Sequence, residues 1–140
     1  MSSLDYLKKY NELPDSIPSD KLDMFFIEIL DAYNLQKINK YYLFEALEEL
    51  SSRLTYTHNI LKDEIRNKID IILCNLWHTD NFEDVEIMTY LIVNLSLEKC
   101  FEVAKESLIQ NPDMDKKIRK EIEETIEEVG ENILNPFHDW

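Results

Sequence analysis

Glycine is almost missing from this chain: Gly130 is the only one in 140 residues, and only four prolines accompany it. An all-β protein needs turn residues about every 8 to 12 positions, and a phosphate-cradling loop needs several glycines, so both are excluded. Histidine is equally sparse. His58, His78 and His138 have no ligand-type partner at i+3 or i+4 and no neighbouring cysteine, so a helical metal site lacks its usual donors. The two cysteines, Cys74 and Cys100, sit inside apolar helical patterns and read as free, buried thiols. Long apolar runs are absent too, which argues against a membrane span, and "MSSLDYLKKY" has no apolar leader core. A cytoplasmic protein is expected.

Positive charge is also in short supply. Fifteen Lys and Arg face 29 Asp and Glu, for a net charge of −14. The imbalance is uneven: residues 1–80 carry 14 acids against 9 bases, a net of −5, and residues 81–140 carry 15 against 6, a net of −9. Such a field disfavours nucleic acid and anionic membranes as partners and favours basic proteins.

What the chain does have is helical periodicity. Hydrophobic residues make up 44%, enough for a core in one domain of this size. The expectation is an all-α single domain of about seven antiparallel-packed helices. Helices of the N-terminal part (1–80) would be followed by a hairpin stack over 81–130 and a short tail at 131–140. A short helix is expected over 2–13, with Leu4, Leu7 and Tyr10 on one side, until Pro14 and Pro18 break it. Ser19 then caps a helix with Leu22, Phe25, Phe26, Ile29, Leu30 and Tyr33 inward. Residues 40–54 place Leu43, Phe44, Leu47 and Leu50 inward. The longest helix is expected over 60–78, central because "IDIILCNLW" is apolar almost all round. "HTDN" caps the next helix, Ser96 the one after, and "NPD" restarts the chain into an acidic helix ending at Gly130. Links of two to four residues imply antiparallel neighbours. Ile87, Leu91 and Leu95 also align with Ile118, Ile122 and Ile126 at an offset of 31 residues, a weak internal repeat.

Catalytic constellations are not apparent. No Gly-x-Ser-x-Gly elbow occurs, and His138 and Asp139 adjoin only within the terminal "FHDW". An enzyme is not expected, nor a cofactor or a metal.

The acids are the remaining functional signal. "EIEETIEEVGE", residues 121–131, holds six glutamates in eleven positions. Lys117 and Lys120 support Glu121 and Glu124 at i+4. In contrast, Glu123/Glu127, Glu124/Glu128 and Glu127/Glu131 are like-charge pairs, each costing about 0.2–0.5 kcal/mol of helix stability. Either a basic partner or a merely solvated face accounts for them. A second acidic set, Asp80, Glu83, Asp84 and Glu86, precedes Tyr90, with Trp77 close by in sequence. Acids beside aromatics make a better recognition patch than acids alone. Tyr41, Glu45, Glu48 and Glu49 form a third candidate. Together with Glu123 and Glu127, these residues are the expected protein-binding surface.

Two resemblances sharpen this reading. "LSLEKCFEVAKESLIQNPDMDKKIRKEI" resembles a HEAT-type repeat, in which an Asn- or Asp-Pro turn precedes an Asp-x-x-Ile-Arg helix start; here that start is Asp115, Ile118 and Arg119. The likeness covers roughly residues 82–130 and implies stacked helical hairpins. In size, acidity and helical character the chain is similar to immunity proteins of bacterial toxin systems, including contact-dependent growth inhibition. That similarity implies binding of one toxin and covering of its active site; together with the charge it points to a basic, nuclease-type toxin, and because like charges would meet across a homodimer a monomer is expected. The other expectation is an acidic HEAT-like adaptor that binds a cellular protein.

Overall fold

The computed structural model describes residues 12–14, 17–57 and 61–130, and all regular structure among them is helical. Six helices are present there: α1 (Ser19–Asn34), α2 (Lys40–Thr57), α3 (Asp63–Leu76), α4 (Phe82–Leu95), α5 (Glu98–Gln110) and α6 (Lys116–Val129). Most of the helix expected over 2–13, and the tail after 130, lie outside the described residues. None of the described helices is long and apolar enough to cross a membrane. The chain divides into two compact units, Met1–Ile65 and Arg66–Trp140, and the division falls inside α3.

In the first unit α1 packs on α2. Pro18, with φ −55° and ψ 143°, precedes α1 and provides no side-chain cap. The apolar period of α1 buries Leu22, Phe26, Ile29 and Leu30, and α2 buries Leu43, Phe44, Leu47 and Leu50. Chain reversal after α1 uses Gln36 at φ 61°, while Leu35 N–H donates to the Asp31 carbonyl and Lys37 N–H to that of Ala32. Asn39 then caps α2, its Oδ1 accepting from Tyr42 N–H at 3.0 Å.

In the second unit α4 carries the most deeply buried stripe, with Val85, Met88, Leu91 and Ile92 fully enclosed. Asn81 Oδ1 caps it by accepting from Asp84 N–H. A link of two residues leads into α5, which packs on α4, and α6 packs on both. Ser96 turns this link in the left-handed region, φ 57° and ψ 53°. Asp115 caps α6 through Lys117 N–H at 2.9 Å, and Gly130 at φ 59° ends it.

Several expectations change. The helix expected over 60–78 is shorter, 14 residues in α3 against 18 in α2. It is not enclosed all round either: Ile71 is 50% exposed and Asn75 is exposed, whereas Asp70 is buried. Ser96 does not cap α5. The cap comes from Asp70, whose two carboxylate oxygens accept the N–H groups of Lys99 and Cys100, each at 2.8 Å. On α6 the buried stripe is Ile118, Ile122, Thr125 and Val129, with Ile126 only half-buried. Thr125 tolerates this because its hydroxyl donates to the Glu121 carbonyl at 2.8 Å. The links flanking the α4–α5 pair are five residues long rather than two to four, residues 77–81 and 111–115.

Candidate functional site

The α4–α6 pairing leaves a groove of about 250 Å³ lined by Glu86, Thr89, Tyr90, Val93 and Asn94 from α4, and by Glu121, Thr125 and Glu128 from α6. Spacing explains the lining: Glu86, Tyr90 and Asn94 on α4, and Glu121, Thr125 and Glu128 on α6, are i, i+4 and i, i+3 neighbours along single helix faces. Thr89 joins the two helices. Its buried hydroxyl lies 3.0 Å from the Glu86 carbonyl and 3.1 Å from Glu121 Oε1, and its one proton serves one acceptor at a time. Asn94 Nδ2 donates to the Tyr90 carbonyl, which fixes the amide at the groove wall. Three carboxylates, a phenol and an amide therefore converge on a concave site with no basic residue in its lining. Chemically this arrangement can accept hydrogen bonds from an ammonium or guanidinium group and pack its alkyl stem on Tyr90.

Two of the residues expected from sequence, Glu86 and Tyr90, thus come together here with Glu121 and Glu128, which were not expected. A sequence signal for this pairing did exist. The 31-residue offset places α4 in register with α6, and the Thr89–Glu121 contact spans 32 residues. Glu123 and Glu127 are exposed on α6 outside the groove lining. Lys120 pairs weakly with Glu124, at 3.8 Å on an exposed face.

The corner before α4 is built differently from expectation. Asp80 and Glu83 are exposed, but Asp84 is buried. Its Oδ2 lies 2.9 Å from His78 Nε2, and Asp80 N–H donates to His78 Nδ1 at 3.3 Å. With Nδ1 accepting, Nε2 carries the proton that bonds Asp84. Asp84 therefore organises the turn and leaves the candidate surface. Trp77 is half-buried, and its Nε1 is enclosed with no hydrogen-bond partner.

On α2, in the first unit, Tyr41 is 54% exposed and packs edge-to-face on Phe44, with Lys40 Nζ 5.1 Å from its ring centre. Glu45 and Glu48 are exposed. Partial burial, and then the like charges of Glu49 and Glu45, raise the pKa of Glu48 above the ordinary carboxylate value. Glu49 is already engaged, its Oε2 2.6 Å from Arg53 Nη1. Arg53, buried and unforeseen from sequence, also donates to the carbonyls of Leu13, Pro14 and Glu49. Glu49 is therefore a structural anchor.

Comparison with protein-family models, curated proteins and solved structures finds no match.

One further surface escaped the sequence reading. Met24 (68% exposed), Ile27 (42%) and Leu35 (66%) line an open groove along α1 with Glu28, Asp31, Ala32 and Lys37. An amphipathic helix read for one apolar face conceals a second stripe of this kind. Among the described residues no group of three or more His, Cys, Asp or Glu is placed to hold a metal ion.

Proposed function

We propose that this protein is an immunity protein that binds and neutralises one basic, nuclease-type toxin in the cytoplasm, acting as a monomer until the complex forms. The observation that carries this reading is the α4–α6 groove, which Glu86, Glu121 and Glu128 line together with Tyr90 and without a basic residue. A nuclease cleft is lined by Lys and Arg that hold phosphates, and carboxylates at a groove can occupy those positions in their place. The net charge of −9 on residues 81–140 supports fast, salt-sensitive association, and Tyr90 supplies an anchor that slows dissociation. The stretch 82–130 reads as HEAT-like, with α4 and α5 as one hairpin and α6 opening the next. Arg119 supports this, because its Nη2 donates to the Leu108 carbonyl at 3.1 Å and ties α6 back to α5.

An acidic HEAT-like adaptor that binds a cellular protein is the second reading. The exposed Met24, Ile27 and Leu35 favour it, since an apolar patch attracts protein surfaces irrespective of charge.

Affinity capture of the tagged chain from a lysate containing the products of adjacent genes distinguishes the two. Washes at roughly 50 and 500 mM salt span weak and strong screening. Recovery of one basic, cytotoxic protein at near-equal stoichiometry, lost on substitution of Glu86, Tyr90 and Glu121, supports the immunity reading. Capture of several housekeeping proteins, indifferent to those substitutions, rejects it in favour of the adaptor.

A further inference from the structure

The open groove along α1 follows one line of the helix. Met24, Ile27, Glu28, Asp31, Ala32 and Leu35 stand at i, i+3, i+4, i+7, i+8 and i+11, a stripe about 16 Å long. Met24 and Leu35 lie exposed at its two ends, and buried Ala32 gives it a shallow floor. It is the second apolar face of α1, since Leu22, Phe26, Ile29 and Leu30 are already in the core. A continuous apolar stripe with charges beside it is a surface on which another helix packs.

Charge decides which kind of helix fits. Glu28 and Asp31 sit mid-stripe, between Met24 and Leu35. Asp31 is exposed and makes no ion pair with a described residue. The last turn of α1 holds no basic residue, so the negative end of its dipole adds to the two carboxylates. The one base in the described lining, Lys37, lies beyond the helix end. A second copy of this chain is the wrong occupant. Two α1 stripes paired antiparallel about a two-fold axis set Met24 against Leu35 and Ile27 against Ala32, but also Glu28 against Asp31. The parallel arrangement sets each acid against itself. The apolar positions are self-complementary, and the charges are not.

We propose that the α1 groove is a docking site for a basic amphipathic helix of a protein partner. Its apolar side chains cover Met24, Ile27 and Leu35, and its Lys or Arg residues face Glu28 and Asp31. The apolar contacts supply most of the attraction, and the two acids select the sign of the partner. This surface belongs to the first unit, and its use does not depend on a toxin in the α4–α6 groove.

Two synthetic helical peptides provide the test. Both are built of Ala and Gln and carry leucines in the spacing of the stripe. One has two lysines at the positions that correspond to Glu28 and Asp31, and its twin has two glutamates there. Each is titrated into the folded, isotope-labelled full chain, and backbone amide shifts report where it binds. The lysine peptide is expected to move the amides of residues 24–37 and to bind about ten-fold more tightly than its twin. Asp31→Lys is expected to erase that preference. Met24→Ser combined with Leu35→Ser is expected to weaken both peptides. Both side chains are exposed, so the fold should survive, and circular dichroism verifies it. Glu86→Gln is expected to change neither affinity. Equal affinity for the twins, shifts centred on α4 and α6 instead of α1, or no binding of the lysine peptide would each overturn the proposal. So would a dimer in sedimentation that Leu35→Ser dissolves, because a second copy would then be the occupant.

Discussion

Asp70 on α3 accepts the N–H of Cys100 on α5 at 2.8 Å across thirty residues, and its other oxygen accepts Lys99 N–H at the same distance. A helix start that local sequence leaves uncapped is thus completed by a buried carboxylate from another helix. Asp70→Ala is expected to lower stability by about 2–4 kcal/mol, combining a lost cap with buried N–H groups left unsatisfied. Asp70→Asn should lose less than Asp70→Ala. Urea unfolding followed by circular dichroism measures both. Equal stability of Asp70→Ala and wild type would sink this account of the cap.

Arg53 is the corresponding tie in the first unit. Arg53→Met keeps the alkyl packing but abandons the Leu13 and Pro14 carbonyls and the Glu49 carboxylate. A loss of about 1–3 kcal/mol is expected. Glu49→Gln should cost less, since Glu49 is half-exposed. A double-mutant cycle between the two should give a non-zero coupling, and strict additivity would contradict the ion pair.

Glu48 supplies a pH test. Its folded pKa is raised, first by burial and then by Glu49 and Glu45, so ionisation is less favourable in the folded chain than in the unfolded one. The favourable contribution of the protonated form is complete below the ordinary glutamate range and disappears as pH rises through the raised value. Glu48→Gln is therefore expected to raise the unfolding midpoint at pH 7. Relief of like charge on the helix is worth about 0.2–0.5 kcal/mol per pair. The gain should shrink as the solution is acidified, and a gain that grows toward acid pH has the wrong sign.

Glu123 and Glu127 separate a solvated face from a recognition face. Glu123→Gln and Glu127→Gln each remove like-charge repulsion on α6, and each is expected to raise helix stability by about 0.2–0.5 kcal/mol. Because both lie outside the groove, neither is expected to weaken binding of the proposed partner, whereas Glu86→Gln and Glu121→Gln are. Isothermal titration with the captured partner compares the four. Equal losses from all of them would mean that the whole acidic face, not the groove, is recognised.

Local periodicity made the helices legible. The apolar spacing of "FEDVEIMTYLIVNL", the Asn81 cap and the Asp115 restart all follow from residues a few positions apart. The same spacing put Glu86 and Tyr90 on one stripe of α4. Glu121 and Glu128 needed the α4–α6 pairing, to which the 31-residue offset pointed only faintly. Asp84 was misread and Asp70 passed over for a common reason: whether a carboxylate is solvent-facing or buried depends on what docks over it. An Asp in first-turn position looks like a surface charge until His78 closes on it. An Asp amid "IDIILCNLW" was masked by its apolar neighbours, although a lone acid in such a run calls for a buried donor. Arg53 went unforeseen because its acceptors at Leu13 and Pro14 lie about forty residues earlier.

Ser96 reverses the chain between α4 and α5 at φ 57°, a conformation that an L side chain adopts at a cost of roughly 1–2 kcal/mol. Its side chain is buried, and Leu97 N–H, next in the chain, donates to the Ile92 carbonyl at 3.0 Å. A glycine here would make a pivot; serine makes a bracket. The consequence is mechanical: the bend lacks the freedom that a glycine would give it, so the angle between α4 and α5 is held by the backbone itself.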